Sequence, residues 1–71
     1  MIDTIIKIVS EVLETDVNEN TSQTNCDKWD SLRHLNIVVA LEDVFDVSFE
    51  PEEIACMKDI DTINAILKTK S

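Results

Sequence analysis

Apolar residues recur along this chain at helical spacing. Ile2, Ile5, Ile6, Val9, Val12 and Leu13 follow the i, i+3, i+4, i+7 pattern of one helix face, with Lys7, Glu11 and Glu14 opposite, and predict an amphipathic first helix. From Thr15 to Trp29 the periodicity stops. The stretch "TDVNENTSQTNCDKW" is rich in Asn, Thr, Ser and Asp, whose side chains compete for backbone hydrogen bonds and favour turns. It reads as a loop of about fifteen residues, long for a compact domain and therefore a place to look for function.

Periodicity resumes in a second helix from about Ser31 to Phe45. Asp30 is a favoured N-cap, able to accept from the free amides of the first turn and to complement the helix dipole, and Trp29 before it is placed to staple against His34. After "VSFE", Pro51 suits the first position of a short helix running to about Met57, with Glu50, Glu52 and Glu53 at its positive end. Asp59 can cap a last helix whose buried stripe is Ile60, Ile63, Ile66 and Leu67. No stretch alternates as a strand, and there are no internal repeats. The fold class is therefore all-α: one domain over residues 1–71, a small four-helix bundle of three longer helices and one short one, with a long loop between the first and second.

The second helix has more apolar surface than a small bundle needs. His34, Val38, Leu41 and Phe45, continued by Ile37 and Val44, make one stripe, and Leu32, Leu35 and Val39 make another beside Ser31. The first is the predicted core face, with Val38, Leu41, Phe45, Ile54 and Ile63 as core residues. The second has two readings. Either the helix is central and buried on both sides, or the strip is exposed, ringed by Glu42 and Asp43, and marks a protein-docking face.

Composition sharpens this picture. A chain of 71 residues builds one small core, worth about 3–5 kcal/mol net, and has no room for a deep active site. Six Lys and Arg stand against fifteen Asp and Glu, a formal net charge of −9. Such a surface repels nucleic acid and anionic lipid and attracts basic protein patches. Cys26 and Cys56 lie far apart with a single histidine, His34, in the whole chain, so no ligand set for zinc exists. No apolar run approaches the ~20 residues that span a bilayer. "MIDTIIKIVSEVL" lacks a basic leader and a small-residue cleavage site. These features predict a cytoplasmic chain with free thiols, an intramolecular disulfide being the alternative.

Ser31 admits three readings: an ordinary first-turn residue, a nucleophile or an attachment point. Asp30, Ser31 and His34 are near one another in sequence, but a serine hydrolase needs a base held by a third group, an oxyanion hole and usually a glycine-lined elbow. The chain has no glycine, and the catalytic reading fails. A rival reading of another class uses the loop. "DVNENTSQTNCD", from Asp16 to Asp27, puts Asp16, Asn18, Asn20, Ser22 and Thr24 at the alternating ligand positions of an EF-hand-like calcium loop. Its sixth position is Thr21 instead of glycine, and its twelfth is Asp27 instead of a bidentate glutamate.

The segment "DSLRHLNIVVALEDVFDVSFEPEEI" resembles the central signature of acyl carrier proteins and the related peptidyl carrier domains: Asp30-Ser31-Leu32 opening a helix, an apolar run, Leu41-Glu42 and Phe45, then a loop and an acidic short helix. The resemblance extends over essentially the whole chain. It implies that Ser31 receives 4′-phosphopantetheine from coenzyme A through a separate magnesium-dependent phosphopantetheinyl transferase. The arm's thiol would then hold acyl or aminoacyl groups as thioesters, and the protein itself would be a non-catalytic carrier; an acidic carrier of this kind need not associate, so a monomer is expected. It also implies that Leu32, Leu35, Asn36, Val39, Glu42 and Asp43 face the transferase and the acyl-loading and acyl-processing enzymes, whose docking patches would be basic. A carried acyl chain could lodge in the core if the bundle opens.

The sequence also departs from carriers of primary fatty-acid synthesis. Those usually have a glycine and a small or aliphatic residue before Asp-Ser-Leu and an acidic residue after it. Here Lys28 and Trp29 precede the motif and Arg33 and His34 follow, which predicts a more basic rim around the serine. "WDSLRHLNIVVALE" looks more like stand-alone carriers of specialised assembly: polyketide, peptide, amino-acyl or surface-polysaccharide. His34 is either a contact for the arm's phosphate or a packing residue.

Overall fold

The computed structural model describes residues 1–70. It contains four helices: α1 (Ile2–Leu13), α2 (Ser31–Phe45), α3 (Pro51–Cys56) and α4 (Ile60–Lys70). The described residues contain no strand, only an isolated antiparallel bridge between Ser22 and Asp59. None of these helices is long and apolar enough to cross a membrane.

Helix boundaries follow local chemistry. The Asp30 side chain accepts from the Arg33 N–H at 2.8 Å and starts α2. Asp59 does the same for α4, accepting from the Thr62 N–H at 2.7 Å. Pro51 opens α3, and the Glu53 carboxylate reaches back to the Glu50 N–H at 2.8 Å. In the absence of glycine, α1 and α2 are stopped by Glu14 (φ 56°) and Asp46 (φ 54°) in the left-handed region. The N–H groups of Glu14 and Thr15 converge on the Ser10 carbonyl, and those of Asp46 and Val47 on that of Glu42, which satisfies the last-turn acceptors.

The core sits where α1, α2 and α4 meet. Ile5, Val9 and Leu13 of α1, Ile37 and Leu41 of α2, and Ile60, Ile63 and Leu67 of α4 are buried together with Met57. Ile8 and Val38 belong to the same cluster. Trp29 joins them from the loop, only 2% exposed. Two predicted core residues are corrected: Phe45 and Ile54 are half-buried and pack against the edge of the cluster. Phe45 is the last residue of α2, and Ile54 lies within α3, a six-residue helix that buries none of its side chains fully, so neither is closed over on all sides. Val44, placed on the predicted core face, is a third correction, since it is 55% exposed. It lines an open groove of about 270 Å³ with Ile8, Glu11, Val12 and Ala40, between α1 and α2.

The long loop is anchored rather than loose. Gln23 N–H donates to the Lys58 carbonyl at 2.7 Å and Ile60 N–H to that of Thr21 at 3.2 Å, so the loop lies along the α3–α4 connection. Buried Thr21 accepts from the Asn18 N–H at 3.0 Å. At the far end of the bundle, Lys70 pairs with Glu53 at 2.9 Å and lies 5.5 Å above the Phe49 ring. The Glu50 N–H first, and Lys70 second, hold the Glu53 carboxyl below its ordinary value of 4.5.

Candidate functional site around Ser31

Ser31 is the first residue of α2 and is exposed. Among the described residues its hydroxyl has no hydrogen-bond partner. Asp30 occupies the Arg33 N–H, and His34 N–H donates to the Asp30 carbonyl at 2.9 Å. The N–H groups of Ser31 and Leu32 therefore remain unsatisfied in the chain and point out at the positive end of a fifteen-residue helix. A free hydroxyl stands beside a ready anion site.

From Ser31 an apolar strip runs along the solvent side of α2. Leu32, Leu35 and Val39 are 70%, 54% and 64% exposed. Of the two readings of this stripe, burial of α2 on both sides is ruled out: Ile37, Val38 and Leu41 are buried on the core side, while Leu32, Leu35 and Val39 face solvent. Asn36 and Asp43 are exposed on the same side. Glu42 is half-buried and accepts from the Phe49 N–H at 2.9 Å, so it holds the α2–α3 connection as well as bordering the strip.

The rim is less basic than the sequence suggests. Arg33 turns away from Ser31 toward α1, donating from Nη1 to the Leu13 carbonyl at 2.8 Å with Glu14 3.7 Å from Nη2. His34 turns inward: Nδ1 meets the Trp29 Nε1–H at 3.0 Å and Nε2 meets the Ile54 carbonyl at 2.8 Å. Both ring nitrogens are engaged, which makes His34 a packing residue and removes it as a phosphate contact. Trp29 and His34 do form the expected contact, but it is a hydrogen-bonded stack, with ring centroids 6.2 Å apart, rather than an apolar staple. Lys28 remains exposed.

Sequence reasoning missed the inward roles of Arg33 and Glu42. Each reaches a partner outside its own helix, and helical spacing carries no signal of such a contact. Burial of Trp29 had a visible clue, a lone large aromatic in a polar loop.

The loop gives the calcium reading no support. Asn18 Oδ1 accepts from the Asn20 N–H at 2.8 Å, and the Ser22 and Thr24 hydroxyls pair at 2.8 Å. Asn25 holds the loop backbone through the Ser22 N–H and the Asn20 carbonyl. These side chains fold the loop instead of converging on a point, and no group of three or more His, Cys, Asp or Glu among the described residues is placed to hold a metal ion. Cys26 is half-buried and Cys56 exposed, both as free thiols.

The chain matches the solution structure of a holo acyl carrier protein from Geobacter metallireducens with a TM-score of 0.84 and 28% identity, over 97% of this chain and 83% of that one. It matches a protein of Mycobacterium tuberculosis assigned as an acyl carrier protein with a TM-score of 0.87 and 19% identity, over 99% of this chain and 97% of that one. No protein-family model and no curated protein sequence matches the chain. The fold is that of the acyl carrier proteins.

Proposed function

We propose that this protein is a non-catalytic acyl carrier and that Ser31 is the attachment point for 4′-phosphopantetheine. The observation that carries the reading is the position of Ser31: an exposed, unbonded hydroxyl opening α2 directly after a capping Asp30. The holo form of the Geobacter metallireducens protein, matched along nearly the whole chain, supports the same cofactor class.

The residues present fit the group. The unsatisfied N–H groups of Ser31 and Leu32 and the α2 dipole favour the negative charge of a phosphodiester on the serine oxygen. When attached, the arm supplies a thiol that holds acyl or aminoacyl groups as thioesters. The protein contributes position. Tethering the cargo raises its effective concentration at each enzyme visited. Leu32, Leu35, Asn36 and Val39 form the contact strip for the transferase and the acyl-loading and acyl-processing enzymes. Glu42 and Asp43 with the net charge of −9 draw basic docking patches, chiefly by speeding encounter.

The test is the intact mass of the purified protein before and after incubation with coenzyme A, magnesium and a promiscuous phosphopantetheinyl transferase, with Ser31→Ala alongside. A gain of one phosphopantetheine in the wild type and none in the variant is expected. No gain with two unrelated transferases, on folded protein, overturns the reading.

A further inference from the structure

His34 lies one helical turn after Ser31, and its two contacts define its protonation. The Trp29 indole N–H can only donate, so Nδ1 must accept at 3.0 Å; the ring proton then sits on Nε2 and is donated to the Ile54 carbonyl at 2.8 Å. The other neutral tautomer satisfies neither contact. Trp29 is buried in the core, and its own N–H donates to the Cys26 carbonyl at 3.1 Å, so the base of this link is rigid.

The far end of the link is α3. This helix buries no side chain fully: Ile54 packs at the edge of the core, and among the described residues its other polar side-chain tie to the bundle is Glu53 to Lys70. His34 is thus the direct hydrogen-bonded connection between the serine-bearing turn of α2 and α3. Nearby charged groups are turned elsewhere: Asp30 to the Arg33 N–H, Arg33 to Leu13 and Glu14, and Glu53 to the Glu50 N–H and Lys70. The link therefore works by hydrogen bonding between neutral groups and not by charge.

We infer that His34 is a positioning residue: as the Nε2–H tautomer bridging Trp29 and Ile54, it latches α3 to the Ser31 turn, so that an enzyme acting on Ser31 meets α2 and α3 as one preset surface. This rests on the reading of Ser31 as the attachment point. Preset geometry lowers the ordering cost of docking, so its loss falls on binding before chemistry.

The experiment compares wild type, His34→Ala and His34→Gln in the full chain. Gln retains one acceptor and one donor and leaves the latch intact. In unmodified protein, the Trp29 indole N–H resonance and amide exchange across the four helices are recorded. The same proteins are then used as substrates of a phosphopantetheinyl transferase with coenzyme A and magnesium. In the Ala variant the indole resonance is expected to move and exchange to quicken in α3 but not in α1, α2 or α4. KM should rise about tenfold with kcat changed less than about twofold, the size set by one unpaired buried donor. Gln should restore all three. Wild-type KM and α3 exchange in the Ala variant, equal behaviour of Gln and Ala, or loss of protection in all four helices alike overturns the inference. If the wild type accepts no phosphopantetheine, the attachment reading fails, while the indole and α3 exchange data still decide the latch.

Discussion

Arg33 Nη1 donates to the Leu13 carbonyl at 2.8 Å, so the residue two places after the serine closes the C-terminal end of α1. An arginine that reads as part of a basic rim is a cap for another helix. Its second contact, Glu14 at 3.7 Å, joins side chains 31% and 76% exposed and contributes little. Arg33→Ala should cost about 1–2 kcal/mol, a charge-assisted bond reduced by partial exposure. In a domain this small that lowers the thermal midpoint by roughly 4–16 °C, which a melt followed by circular dichroism would register. An unchanged midpoint would mean that water replaces the cap at no cost.

Glu53 gives the fold an acid-side dependence of known sign. Its folded carboxyl titrates below the ordinary 4.5, so the folded state binds fewer protons than the unfolded chain in that range. The contribution is fully present above about pH 4.5 and is lost as pH falls through the lower folded value. Glu53→Gln should flatten that part of the stability curve, measured by urea unfolding at closely spaced pH values between neutral and acid. A variant curve parallel to the wild type at every pH would contradict the assignment.

Two substitutions in α2 should separate fold from docking. Leu41→Ala removes fully buried carbon from the core and should cost about 2–5 kcal/mol, comparable to the whole stability of a bundle this size. Val39→Lys changes an exposed position and should alter stability by less than about 0.5 kcal/mol. On the proposed carrier reading it should nonetheless weaken transferase binding, because it would place a cation where a basic docking patch is expected. Denaturant midpoints and steady-state KM values on the two proteins check both halves.

The net charge of −9 on 71 residues repels itself in the folded state. Raising ionic strength from about 0.01 M to 0.15 M shortens the screening length from roughly 30 Å to 8 Å and should raise the melting midpoint. A midpoint that falls with added salt would show that attractive pairs such as Glu53–Lys70 outweigh the repulsion.

Much of this protein is written in local sequence. Four helices, two of their N-caps (Asp30 and Asp59), the Pro51 start of α3 and the position of Ser31 depend on spacing, on a fixed φ and on side chains that bond to backbone a few residues away, so they are legible without a fold. The bonds that decide which way Arg33, His34 and Glu42 face are of another kind. Arg33 reaches twenty residues back to Leu13 and His34 twenty residues forward to Ile54. Only the packing of α1 and α3 against α2 creates those acceptors. Tertiary structure also chose between the two readings of Leu32, Leu35 and Val39. A helical wheel shows that they share a face, but whether water or another helix covers that face depends on where the other helices pack, and the fold leaves it to solvent.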